Sequence, residues 1–151
     1  MTIIRQAVID DLDLIVDFQL RLAEETEDLS LKADVLNLGV RAALLDPLKG
    51  EYYIAEVDQE SVGCLFTVRE WSDWRNGEVV WIHSLYVAQE ARRKGVFKQL
   101  YVHLRHMIEN DADLKGLRLY VHRDNELAQN AYRSIGMDGD HYRLFEWMPE
   151  D

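Results

Sequence analysis

Apolar positions change their period several times along the 151-residue chain, and each change marks an expected element. Residues 2–7 predict a first strand. Asp10 and Asp11 then stand where a helix cap belongs, and Leu12, Ile15, Val16, Leu22 and Ala23 come after them at helical spacing. The run EETED at 24–28 interrupts that pattern. A second helix is expected over 31–45, with Val35, Leu38, Ala42 and Leu45 recurring along it; Asp46-Pro47 ends it, because proline pushes the preceding residue out of helical geometry.

Three strands are expected next, at 52–57, 61–70 and 78–87, separated by the polar turn DQE and by Asn76-Gly77, a strong hairpin signal. They predict an antiparallel meander. From Gly95 the spacing of Val96, Leu100, Leu104, Met107 and Ile108 predicts a helix, and LRLYVH at 117–122 a strand, giving a β-α-β crossover. A short helix over 125–135 should end at Gly136, and 142–148 is expected to add a last strand. No repeat, low-complexity stretch or linker divides the chain, so one domain over 1–151 is expected.

Composition narrows the class. Hydrophobic residues at 48% and charged residues at 30% suit a folded domain and are too apolar for disorder. No run of eighteen apolar residues occurs, and MTIIRQAVIDD has no signal-like apolar core, so a cytoplasmic protein is expected. The single cysteine, Cys64, lies in the apolar run VGCLFTV and is expected to be a buried structural thiol. A net charge of −11 opposes non-specific binding to nucleic acid or an anionic bilayer and fits cationic partners better.

Against that acidic background, RRKGVFK gathers Arg92, Arg93, Lys94 and Lys98 around Gly95, at the handover from strand to helix. Amides at a helix start point outward with partial positive charge, and the glycine permits positive φ and close approach, so a pyrophosphate fits there. A solvated basic face is the alternative. Neither G-x-x-x-x-G-K-[ST] nor G-x-G-x-x-G is present, which removes two nucleotide-binding motifs.

VAQEARRKGVFKQL at 87–100 resembles the acetyl-CoA signature of the GNAT superfamily of N-acetyltransferases, R/Q-x-x-G-x-G/A between a strand and a long helix. Arg92 and Gly95 match, with Val87, Val96 and Leu100 flanking; Phe97 departs from the usual Gly or Ala. Residues 125–137, NELAQNAYRSIGM, resemble a second block of the family through Asn125, Ala128, Tyr132 and Gly136, with Met137 for the usual Phe. The resemblance implies an α/β (α+β) fold: a mixed, mostly antiparallel sheet of six to seven strands with about four helices, splayed between strands four and five. It implies acetyl-CoA as co-substrate, bound by Arg92 to Lys98 with Val96 and Phe97 among them, by Leu85, Tyr86 and Val87, and by Asn125 and Tyr132. The pantetheine arm would pair with backbone groups of Leu85 and Val87, and an N–H near Leu85 would polarise the thioester carbonyl. Tyr132 matches the family's general acid.

The base is left to the residues. Strand alternation puts Trp81, His83, Leu85 and Val87 on one face, and the His83 imidazole can take a proton from an ammonium. Glu70, Glu78 or simple juxtaposition of the substrates are alternatives. His103 and His106 stand three apart on one helix without a third ligand at suitable spacing, so no metal is expected.

Residues 62–87 look most like the spermidine/spermine (diamine) and thialysine acetyltransferases, although His83 and Ser84 replace their acidic pair. The expected acceptor is therefore a primary amine of a small cationic molecule, polyamine, diamine or amino-acid-like, attacking directly in a ternary complex. Glu25 among the acids of 24–28, with Glu70, Trp74 and His83, is the expected acceptor-binding set, since carboxylates and aromatic faces both attract ammonium groups. A protein or peptide lysine acetyltransferase and a non-catalytic acyl-CoA sensor are the alternatives. Relatives of this type imply a homodimer.

Overall fold

The computed structural model of the chain describes residues 1–150. They fall into two compact units, Met1–Tyr120 and a second that begins at Val121. The first unit runs β1 (Thr2–Gln6), a 3-10 turn (Ile9–Asp11), α1 (Leu12–Glu27), α2 (Ala33–Leu45), β2 (Glu51–Val57), β3 (Glu60–Ser72), β4 (Gly77–Val87), a 3-10 turn (Gln89–Ala91), α3 (Val96–Glu109) and β5 (Leu114–Leu119). The second contains α4 (Glu126–Ser134).

The sheet order is β1-β2-β3-β4-β5; the first four strands are antiparallel neighbours, and β5 lies parallel to β4. Asp58 and Gln59 turn β2 into β3 with φ of 51° and 68°, the backbone that a two-residue hairpin requires. A parallel neighbour needs a crossover, which α3 supplies.

Each sheet face carries its own core. On one, Tyr53, Ala55, Leu65, Ile82 and Val87 pack with Val96, Leu100 and Leu104 of α3. On the other, Tyr52, Ile54, Cys64 and Tyr86 pack with Ile15 and Phe18 of α1 and with Val40 and Ala43 of α2. The Cys64 thiol is buried there, and burial pushes its pKa up to about 12. A thiolate at neutral pH is thereby suppressed.

Several expectations are corrected. Among the described residues the sheet has five strands, not six to seven, and 142–148 forms none. The reason is pairing: an extended segment needs a ladder, and the described part of the second unit contains no strand to offer one. No splay opens along the paired stretch of β4 and β5, which stay in register from Val79 through Ile82 after a shift at Glu78/Val79. EETE does not interrupt α1, because glutamate is a good helix former; the helix ends at Asp28, in the left-handed region with φ of 51°. In α2 the packed positions are Leu36, Val40, Ala43 and Leu44, while Val35, Leu38 and Leu45 are exposed. That helix is apolar on more than one face, so periodicity alone does not choose the buried stripe.

Arg5 on β1 closes the start of the chain. Its guanidinium donates to both Asp11 carboxylate oxygens at 2.8 Å and to Glu56 at 2.6 Å. The Arg5 hydrogen bonds, joined by one from the Val8 amide, hold the buried Asp11 carboxyl below its ordinary range. A depressed folded pKa gives stability that is complete above the unfolded value and lost as pH falls through the folded one. Asp11→Asn is therefore expected to lower stability by about 2 kcal/mol near neutrality. The difference from wild type should shrink steadily below about pH 4, as followed by urea titrations across acid pH.

Candidate functional site

The centre of β4 departs from regular pairing. Thr67 pairs with Ile82 but Phe66 with Ser84, which leaves His83 as the extra residue of a bulge. One inserted residue reverses every later side chain. Leu85 and Val87 therefore share the α3 core with Ile82, whereas Tyr86 joins the α1/α2 core. The expected common face of Trp81, His83, Leu85 and Val87 is corrected accordingly. His83 is exposed, its ring 5.5 Å from Phe66, which packs against the α1/α2 core.

Around that bulge the structure assembles groups the sequence did not single out. Gln19 of α1 donates to the Ser84 hydroxyl at 2.9 Å, tying the helix to the strand beside His83. Its only sequence signal is a polar residue one turn after the buried Ile15. Tyr52 stacks on Phe66 with centroids 4.2 Å apart. Further along the sheet Trp81 packs on Tyr120 at 4.7 Å, and the Arg118 guanidinium sits 6.0 Å from the Trp81 ring. Arg118 also pairs with Glu70 at 3.5 Å. Glu78, the other carboxylate considered as a base, pairs with Arg69 at 3.7 Å. Trp74 is 89% exposed between β3 and β4.

The β5 ladder stops at Ile82, while β4 itself continues to Val87. From there the chain turns into the cationic loop. Gly95 sits at the N-cap of α3 with φ of 82°, and its carbonyl accepts the Gln99 N–H at 3.0 Å, a bond of the helix's first turn. The earlier amides face the helix end, where anions are favoured. Val96 is buried, Phe97 packs against the α3 core, and Arg93, Lys94 and Lys98 are exposed. Phe97 is thus absorbed by packing where the family pattern has a small residue. Arg92 donates from Nε to the Val87 carbonyl at 2.9 Å and from Nη2 to Glu25 at 3.0 Å.

In the second unit, the Asn125 side chain caps α4 by accepting from the Ala128 amide at 3.1 Å. Gln129 donates to the carbonyls of His122 and Arg123, fixing the approach to the helix. Gly136, with φ of 94°, lies just past the helix, and the Met137 amide returns to the Tyr132 carbonyl at 3.1 Å. Tyr132 is half-buried, and burial raises its hydroxyl above the ordinary tyrosine value. It is protonated throughout the neutral range and can donate.

Among the described residues no group of three or more His, Cys, Asp or Glu is placed to hold a metal, and no helix is long and apolar enough to cross a membrane. Burial, then the neighbouring His106, lower the His103 pKa, and its ring lies 5.3 Å from that of Tyr53.

Residues 16–137 match the model of the Acetyltransferase (GNAT) family. No curated protein matches the chain. A solved structure described as a possible acetyltransferase from Clostridium difficile 630 is 41% identical, covers 100% of this chain and 99% of its own, and superposes with a TM-score of 0.93. Two more distant structures share the fold. The ribosomal-protein-alanine N-acetyltransferase from Brucella melitensis biovar Abortus 2308 is 18% identical, with a TM-score of 0.78 over 98% of this chain and 100% of its own. The aminoglycoside N-acetyltransferase AAC(6')-Iy, solved in complex with CoA, is 16% identical, with a TM-score of 0.79 over 98% and 95%.

Proposed function

Because the chain belongs to the GNAT acetyltransferase family, whose acyl donor is acetyl-CoA, we propose that it acetylates a primary amine of a small cationic acceptor in a ternary complex. The observation that carries this reading is the junction of two features: a β4 edge that runs past its β5 ladder, and a glycine-started helix flanked by outward cations. Backbone groups of Leu85, Tyr86 and Val87 would take the pantetheine arm as an added strand. The α3 start, with Arg93, Lys94 and Lys98, would take the diphosphate. Asn125 and Tyr132 complete the donor set.

The acceptor nitrogen attacks the thioester carbon, the carbon–sulfur bond breaks, and Tyr132 gives its proton to the departing thiolate. The ammonium proton leaves to His83, directly or through water; its exposure beside the bulge supports that role. Glu70 and Trp74 are proposed to face the acceptor. Since Glu70 is already paired with Arg118, the local charge is mixed, which favours a short amine or an amino-acid-like acceptor over a long polyamine. The reading includes one domain over 1–151, a homodimer and a cytoplasmic location.

Release of CoA thiol from acetyl-CoA, measured against diamines, polyamines, amino acids, aminoglycosides and lysine peptides, tests it. Small amines should accelerate release well above the hydrolytic background. Acceleration by lysine peptides alone would replace the acceptor class, and tight acetyl-CoA binding with no acceleration by any amine would replace catalysis by sensing.

A further inference from the structure

By sequence pattern Arg92 belongs to the phosphates and Glu25 to the acceptor. In the structure they hold each other. Glu25, in the last turns of α1, accepts Arg92 Nη2 at 3.0 Å, while Arg92 Nε is committed to the Val87 carbonyl at 2.9 Å. The guanidinium carbon stands 5.6 Å from the centroid of the Tyr86 ring. Burial first, then the nearby Glu25 carboxylate, raise the Tyr86 hydroxyl pKa, while Arg21 of α1 acts to lower it. Arg21 is itself paired with Asp17 at 3.1 Å. One helix, the end of β4 and the cofactor loop thus meet at one guanidinium.

The backbone just past Arg92 accounts for the need for such a hold. Arg93 has φ of 63°, a left-handed conformation that costs a non-glycine residue about 1–2 kcal/mol, and Gly95 is left-handed as well. The loop between Ala91 and Val96 contains no regular element. Arg92 is its side-chain anchor to α1. Two of the five Arg92 N–H donors are thus committed within the fold, and a diphosphate that drew the guanidinium away from them would leave the Glu25 carboxylate beside a polyanion.

We propose that Glu25, Tyr86 and Arg92 form a positioning clasp for the cofactor loop, with Arg92 holding the loop's shape instead of binding phosphate. This rests on the acetyl-CoA reading above. Phosphate recognition then falls to the α3 amides and the exposed Arg93, Lys94 and Lys98. Because α1 also holds Ser84 through Gln19, the clasp links the donor loop to the helix that borders the bulge.

The test is calorimetry of CoA and of phosphate-free pantetheine on the full-length chain, with melting curves, for wild type, E25Q, R92K and the double variant. The clasp predicts that E25Q weakens CoA about fivefold or more. Pantetheine affinity and melting temperature should stay near wild type. R92K, which keeps the charge but not the two-pronged geometry, should lose about as much, and the double variant no more than either single one. E25D, retaining the charge on a shorter arm, should fall between wild type and E25Q. A phosphate-binding Arg92 demands the opposite sign, since removing Glu25 would release the guanidinium and delete a repelling charge. CoA binding unchanged or tighter in E25Q, full retention in R92K, additive losses, or an equal loss for pantetheine would each overturn the clasp alone. A wild-type chain that binds no CoA would overturn the acetyl-CoA reading, and the clasp with it.

Discussion

Tyr132→Phe is expected to lower kcat by about 10²-fold or more, while CoA affinity stays within a few fold of wild type. The substitution removes one oxygen from a half-buried ring on α4 and leaves the helix cap at Asn125 and the turn at Gly136 in place. A loss confined to kcat marks an interaction made only as the thiolate departs. The pH profile supplies a second readout. The acid works in its protonated form, so its activity is lost as pH rises through its pKa, and burial shifts that loss upward from the ordinary tyrosine value. In the phenylalanine variant the Tyr132 contribution to the alkaline limb should vanish. Turnover within a few fold of wild type across the pH range would remove the tyrosine from the chemistry. Pre-steady-state rates of thiol release, measured at saturating acetyl-CoA, separate the chemical step from binding.

Leu100→Ala carries the largest expected loss of stability. Leu100 is fully buried in the core between α3 and the sheet, among Val96, Leu104, Leu65 and Ile82. Truncation removes three carbons and leaves a cavity walled by strands that are held in place by their ladders, so collapse is limited. A cost of about 3 kcal/mol is expected, and the melting temperature should drop by about 6–12 °C. The position lies little more than one turn beyond Gly95, so the same packing that stabilises the unit also aims the start of α3. Saturating CoA should raise the melting temperature of both proteins by mass action. A smaller ligand-induced rise in the variant would show that the loop loosens with the helix. A loss below about 1 kcal/mol in urea titrations would show that the cavity closes.

Local patterns were legible where one period dominated. The meander and the crossover from Gly95 through α3 to β5 arise from residues whose spacing and burial agree, although the β3–β4 reversal runs over Asp73 to Asn76, with Gly77 already in the ladder opposite Ser72. The family motifs likewise point to Arg92–Gly95 and Asn125–Tyr132 as linear strings. Failures came where two or more answers were locally consistent. Helix α2 offers more than one apolar stripe, and α1 reads through four polar residues because glutamate does not break helices. The segment 142–148 is rich in the aromatic residues that strands favour, yet composition supplies no hydrogen-bond partner.

Charge pairing was the least legible layer, because partners lie far apart in sequence. Glu25 and Arg92 are 67 residues apart, and Arg5 and Glu56 are 51 apart. Nothing in either local string says that one carboxylate neutralises the other's cation. By itself, then, the sequence determined the family, the order of most elements and the glycine at which the anion-binding helix begins, because these depend on short-range stereochemistry. Tertiary structure alone decided which face His83 shares, through one extra residue in a ladder, and which cation of RRKGVFK is already paired, through a carboxylate on α1.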